Sequence, residues 1–282
     1  MTRHLVVTAD DLGLTDGTTR AVQQAHLHGL VSATSLLAVG RAFDSAARML
    51  EQTPTLDLGA HLAIVGEDPP LLSAAEVPTL VDRRGRFPLS YRTVVRRGLV
   101  GALDPDDVRR ELAAQLDRVR GIGLPVTHLD THQHTHLWPS VARVVLELAT
   151  EHRVPWVRLP RSARPGPTGL AVEVLSRRLA RRAAVAGVRT TEAYAGLDEA
   201  GRLDGEAWVG VLGRLGRAQA RTAEVNCHPG EAGDADLERF TWSYRWAAET
   251  AALTDPRTAA AVEAAGYHVV GFRDLAVAPG VA

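Results

Sequence analysis

Short apolar or β-branched runs alternate along the whole chain with longer stretches whose apolar residues recur every three or four positions. The runs predict strands at 4–9, 33–39, 56–61, 126–130, 155–159, 188–194, 223–227 and 267–272. The longer stretches predict helices at 18–28, 42–52, 105–121, 139–152, 169–186, 206–219 and 243–265, the last broken at Pro256. Gly29 follows the first helix as a left-handed cap would, and Asp104-Pro105 opens the third with an N-cap and a proline at its first turn. About eight strands alternating with helices predict an α/β fold, a distorted (β/α) TIM-like barrel with its site at the carboxyl ends of the strands. A doubly wound sheet is the rival topology. No Ser/Gly linker or low-complexity tract divides the chain, so 1–282 reads as one domain. Residues 63–103 carry Pro69-Pro70, Pro78 and Pro88 and exceed an ordinary connection, so they read as an insertion beside a substrate cleft.

Composition narrows the chemistry. With 45% hydrophobic residues and a net charge of −1, the chain is globular rather than disordered. All 32 basic residues are arginine, which excludes P-loop, Schiff-base and pyridoxal chemistry, each of which needs an amine. One cysteine, Cys227, excludes an internal disulfide and a cysteine-rich zinc or iron–sulfur centre; at the end of an apolar strand it reads as a buried thiol. The start, MTRHLVVTADD, is too soon interrupted by acids for a secretory or membrane segment, and the expected location is the cytoplasm. Balanced charge and 5% aromatics give no nucleic-acid surface. Arg177, Arg178, Arg181 and Arg182 repeat along one helix and read as a solvated stripe.

The densest signal is HLDTHQHTH at 128–136, with four of the eleven histidines in nine positions directly after an apolar run. Were it extended, His128, Asp130, His132, His134 and His136 would share a face, with His132 and His136 roughly 13 Å apart. Only one or two of these rings could then hold one ion, and the others would orient substrate or partner a ligand, as Asp130 could by accepting a ring N–H. A histidine-rich surface loop is the alternative. Thr8-Ala9-Asp10-Asp11 ends the first strand with two carboxylates, able to divide metal binding from proton transfer, or simply forming an Asx turn. His61 ends the third strand beside Gly59, whose lack of a side chain permits close backbone approach. His228 follows the seventh strand in Cys-His-Pro-Gly, and Arg158 ends the fifth, placed to hold a carboxylate or substrate oxygen or to make a rim salt bridge. Each could be structural alone. That they fall together at predicted strand carboxyl ends, where barrel sites are built, favours a site.

VTADDLGLTDG, Gly29-Leu30-Val31-Ser32-Ala33-Thr34-Ser35-Leu36, Gly59-Ala60-His61-Leu62, HLDTHQHTH and His228-Pro229-Gly230 occur in an order that resembles the YdjC-like carbohydrate deacetylases, which include chitooligosaccharide deacetylases and hopanoid-associated members. The resemblance spans nearly the whole chain. It implies a distorted (β/α) barrel and one divalent metal ion, magnesium or zinc, held on the matching positions by Asp11, His61 and His132. It further implies Asp10 as the general base and, by analogy with related polysaccharide deacetylases, His228 as the acid for the departing amine. Asp130, His134, His136 and Arg158 then fall to substrate binding or to support of the ligands. Leu12 stands where the family commonly has phenylalanine, and 161–222 carries no matching motif. Residues 76–88 are similar to the hopanoid-associated branch in particular, which implies an N-acetylglucosamine group on a lipid head as substrate. The partner expected is thus an N-acetylated sugar or glycolipid, with no nucleic acid, no transmembrane segment and a homodimer left open. A metal-dependent phosphoesterase and a non-catalytic metal- or glycan-binding barrel are the rival readings.

Overall fold

A computed structural model describes residues 2–275. Eight parallel strands are β1 (Arg3–Leu12), β2 (Ala33–Leu36), β3 (Asp57–Leu62), β4 (Val126–Thr131), β5 (Trp156–Val157), β6 (Ala193–Ala195), β7 (Thr222–Cys227) and β8 (Tyr267–Val269). The helices are α1 (Asp16–Leu27), α2 (Phe43–Glu51), α3 (Tyr91–Leu99), α4 (Pro105–Arg120), α5 (Pro139–Glu151), α6 (Pro167–Val185), α7 (Gly205–Ala218), α8 (Trp246–Thr254), α9 (Pro256–Ala264) and α10 (Phe272–Leu275), with 3₁₀ turns at His132–Leu137 and Ala235–Arg239. Side-chain caps start many of them: Thr15 and Thr18 form a reciprocal capping box on α1, and Asp104 and Asp255 cap α4 and α9 ahead of a proline.

The strands curl in the order β5-β4-β3-β2-β1-β7-β6, while β8 pairs with the start of β1 at Arg3 to Leu5. One parallel bridge, Trp156 to Arg189, joins the two ends of the curl. The distorted barrel is therefore present, but its seam differs from the expected pattern. The runs at 155–159 and 188–194 give only short strands, because the chain at 189 pairs with β5 and then shifts to pair with β7 at Ala193.

Strand alternation sorts the interior into layers. Leu5, Val7 and Ala9 of β1 pack outward into the main core beneath the helices. Val6 faces inward with Ala33, Trp156, Phe272 and Leu275, which form an apolar plug at the amino end of the barrel. The expected strand 267–272 therefore stops at Val269: Phe272 and Leu275 leave the ladder on α10 to fill the barrel floor. Above the plug the inward positions turn polar, with Thr8, Ser35, His128 and Glu224, and then Asp10, Asp130 and Asn226. Within 63–103 the sequence pattern missed α3, whose buried interior position is Val94 alone. Among the described residues no helix is long and apolar enough to cross a membrane.

Gly59 is required by this layering. A Cβ there would stand 2.3 Å from ring atoms of His128, which is itself stacked on Phe272 at 4.3 Å between centroids. Burial pushes the His128 ring down to about 3, so it packs as a neutral group. Gly59→Ala is expected to lower stability by about 1–3 kcal/mol through overpacking, read as a lower urea midpoint with an unchanged slope.

Candidate active site

A β-bulge brings the two adjacent aspartates to one side. The β1–β2 register shifts between Ala9 and Leu12, and Asp11 takes a left-handed backbone with φ of 60°. Strand β1 runs on through Leu12, so the bulge, rather than the end of the strand, defeats the alternation that would part Asp10 from Asp11. Both carboxylates reach a cleft of about 850 Å³ at the carboxyl ends of the strands, together with His61, His132, His134 and His228.

Asp11 Oδ1 lies 3.2 Å from His61 Nε2 and 3.0 Å from His132 Nδ1, and the two nitrogens are 3.3 Å apart. Metal–ligand bonds of about 2.0–2.2 Å set neighbouring ligands roughly 3.0–3.5 Å apart, so these three atoms match one face of a divalent-ion site. His61 Nδ1 donates to Asp130 Oδ1 at 2.7 Å, which turns Nε2 toward Asp11. Ser35 Oγ donates to the other Asp130 oxygen at 2.6 Å. Asp10, His61 and Asp130 form a second compact set. Its carboxylates are already engaged by Arg158 and, for Asp130, by His61 and Ser35, which favours the Asp11 set.

Charge gives the same answer. Burial alone would raise the Asp11 carboxyl, but attraction to His132 and hydrogen bonds from His132 and His61 hold it well below the usual range. Burial would likewise lower His61, but the Asp130 charge and bonds to Asp11 and Asp130 raise it to about 10. The pocket thus favours positive charge between Asp11 and Asp130, which a divalent cation would supply.

Arg158 is not at the rim. Its side chain is fully buried and grips both oxygens of Asp10 at 2.7 Å, Asp130 at 2.8 Å and Glu224 at 2.8 Å. It positions acids and does not face the cleft. Asn226 donates to Asp10 at 2.9 Å and accepts from Tyr194 at 2.5 Å, and Tyr194 in turn meets His134 Nε2 at 3.3 Å.

The segment from His132 leaves the extended form at Thr131. Gln133 and His134 have φ of 52° and 53°, so the histidines separate instead of sharing a face. His132 turns to Asp11 and His134 lines the cleft, while His136 is buried against Thr131 and the Arg158 carbonyl. Burial pushes the His136 ring down to about 4 and the His134 ring well below its ordinary value. His128 bonds to Ser35 beneath the site. His228 Nε2 stands 4.0 Å from Asp10, its backbone N–H donates to buried Glu249 at 2.6 Å, and burial lowers its ring. Burial also lifts Glu249 to about 8 and the Cys227 thiol well up, and Cys227 is as inaccessible as the sequence suggested.

Sequence reading missed Glu224, Asn226, Tyr194 and Glu249, and also Trp242 and Tyr244, whose rings lie 5.1 Å from His132 and 4.9 Å from His228. Two signals were available: polar residues at 224, 226 and 228 alternate with apolar ones, and Phe240-Thr-Trp-Ser-Tyr-Arg-Trp246 places an aromatic at every second position.

This geometry can be set beside known proteins. The chain is 32% identical to a carbohydrate deacetylase of Geobacillus stearothermophilus, over 98% of this chain and 99% of that one. It is 31% identical to a chitooligosaccharide deacetylase of Serratia marcescens, over 98% and 100%. A crystal structure from Enterococcus faecalis, described as that of a candidate cellobiose-phosphate cleavage protein, shares the fold with a TM-score of 0.81 at 24% identity, over 98% of this chain and 99% of that one. A T48 deacetylase with substrate gives 0.50 at 12% identity, over 97% and 90%. The sequence profile described as YdjC-like protein matches residues 4–264. With that match running from β1 to the end of α9, and relatives aligned along their full length, the chain belongs to the YdjC-like protein family.

Proposed function

We propose that the protein removes the acetyl group from an N-acetylated sugar of the N-acetylglucosamine type by metal-dependent hydrolysis. The observation that carries this reading is the triangle of Asp11, His61 and His132 opening on a cleft beside a carboxylate, Asp10, that Arg158 holds in place. The names of the two full-length relatives support the same chemistry. Asp11, His61 and His132 would hold a divalent ion, which when bound would supply Lewis acidity toward the amide carbonyl and the attacking water. Two imidazoles and one carboxylate suit zinc more naturally than magnesium.

Asp10 takes a proton from the attacking water. The bidentate grip of Arg158 and the bond from Asn226 fix its oxygens and leave little freedom to swing toward the ion. His228 protonates the departing amine; at 4.0 Å from Asp10 it lies a short step from the proton that Asp10 has gained. Trp242 and Tyr244 offer ring faces to the sugar where they line the cleft.

The far wall of the cleft favours a substrate with an apolar arm. Val94, Val95 and Leu99 of α3 and Ala171, Val172 and Leu175 of α6 all line the cleft. A glycolipid whose N-acetylated sugar is its head group fills both parts. A free oligosaccharide fills only the polar base.

Asp10→Asn is expected to abolish turnover while zinc still binds, because the acceptor for the water's proton is lost but the three ligands remain. His61→Ala and His132→Ala are expected to weaken zinc affinity itself, by about tenfold or more. Calorimetric zinc titration beside a rate assay separates the two classes, and full turnover by Asp10→Asn would remove the base from the mechanism.

Released acetate from metal-loaded protein and a panel of N-acetylated mono-, oligo- and lipid-linked sugars tests the reaction. Lipid-linked sugars are expected to give the highest kcat/KM. Phosphate release from phosphomonoesters without acetate release would favour the phosphoesterase reading, and neither product would favour a binding barrel.

A further inference from the structure

Around the cleft mouth the surface departs from the rest of the molecule in two ways at once. Residues 83–103 and 161–185 supply walls of the cleft through α3 and α6. They contain twelve of the chain's 32 arginines but one of its 33 acidic residues, Glu173, so the remainder of a nearly neutral protein is acidic. The same two segments hold seven of the nine exposed large apolar side chains among the described residues. Leu99 and Val100 at the end of α3 are each 73% exposed, and Leu170 and Val174 on α6 are 67% and 57% exposed.

Some of the charge is spent internally. Arg161 and Arg177 pair with Glu173, Arg164 with Asp198, and Arg97 bonds to backbone carbonyls of 79 and 81. Arg92, Arg96, Arg178 and Arg181 are exposed and have no ion pair among the described residues. Exposed arginines without partners repel one another, and protruding leucine and valine side chains cost hydration free energy, so the surface is stable in isolation only at some expense. An anionic bilayer removes both costs, since lipid phosphates neutralise the guanidinium groups while the apolar side chains enter the acyl boundary.

We infer that the rim formed by 83–103 and 161–185 docks on an anionic lipid bilayer and turns the cleft mouth toward the membrane surface. Charge complementarity is what selects this occupant: a second copy of the chain would set arginine-rich rim against arginine-rich rim. The docking is peripheral and reversible, and it does not depend on which reaction the cleft performs, because it is read with no substrate present.

The test is co-sedimentation of the zinc-loaded protein with vesicles of equimolar phosphatidylglycerol and phosphatidylcholine, and with vesicles of phosphatidylcholine alone. The expected result is binding to the first and little to the second, falling as salt rises from about 50 mM to about 500 mM. Arg92→Gln/Arg96→Gln/Arg178→Gln/Arg181→Gln and Val100→Ser/Leu170→Ser/Val174→Ser leave the donor triangle untouched, and none of these side chains lines the cleft. Each set is expected to weaken vesicle binding by about tenfold or more while circular dichroism and zinc affinity stay as in the parent. Failure to bind anionic vesicles at low salt would overturn the proposal. So would binding that both sets retain, or a dimer that both sets dissociate in the absence of vesicle binding.

Discussion

A buried guanidinium organises the interior of this barrel. Arg158 pairs with Asp10, Asp130 and Glu224 from one point, and each of these acids comes from a different strand. Burying three carboxylates around a lone cation is affordable only because the guanidinium presents several donors in a fixed plane, where an ammonium would act as a point charge. Removing one partner from such a group typically costs about 3–5 kcal/mol. One guanidinium does not balance three carboxylates, and Asp11 adds a fourth that Arg158 does not reach. That surplus negative charge raises the His61 ring and makes the place among Asp11, His61 and His132 suitable for a metal.

From this follows a division of labour between neighbours in sequence. Asp10 is held in place by Arg158 and Asn226 and cannot easily swing to become a ligand; Asp11, one residue on and rotated by its left-handed backbone, faces the imidazoles. His61 is oriented by Asp130, and Asp130 by Ser35 and Arg158, so the ligand geometry is anchored two bonds deep into the polar layer of the barrel. The apolar plug of Val6, Trp156 and Phe272 below that layer keeps water from reaching the ion pairs from the amino end.

Much of this was legible in the sequence, for physical reasons. Parallel strands buried on both faces write themselves as apolar runs, and His61, Asp10 and His228 stood out because polar groups closed those runs. The short seam strands were misjudged because β-branched composition does not report pairing: 188–194 holds enough β-branched and aromatic residues for a strand, yet its backbone changes partner midway. For His136 and Arg158 the sequence left substrate binding and support of the ligands both open, because residue type shows what a side chain can do, while only the turn at Gln133 and His134 and the inward course of the chain just after β5 decide what it meets. Glu224 and Asn226 were hidden in a strand whose alternation was available but unmarked by any cluster.

The seam has a consequence for how such a scaffold can diversify. The donor triangle and its supports rest on β1, β2, β3, β4 and β7, on the turn after β4 and on the residue that follows β5, and the strands from β4 through β3, β2 and β1 to β7 pair in unbroken order. Helix α6, one wall of the cleft, hangs between β5 and the single bridge at Arg189. Recognition and chemistry are in this sense mechanically uncoupled: the wall can lengthen, tilt or change its side chains by loosening one bridge, without tearing the ladders that hold the acids and imidazoles in register. Relatives could reshape the cleft there and inherit the acids and imidazoles beneath it unchanged.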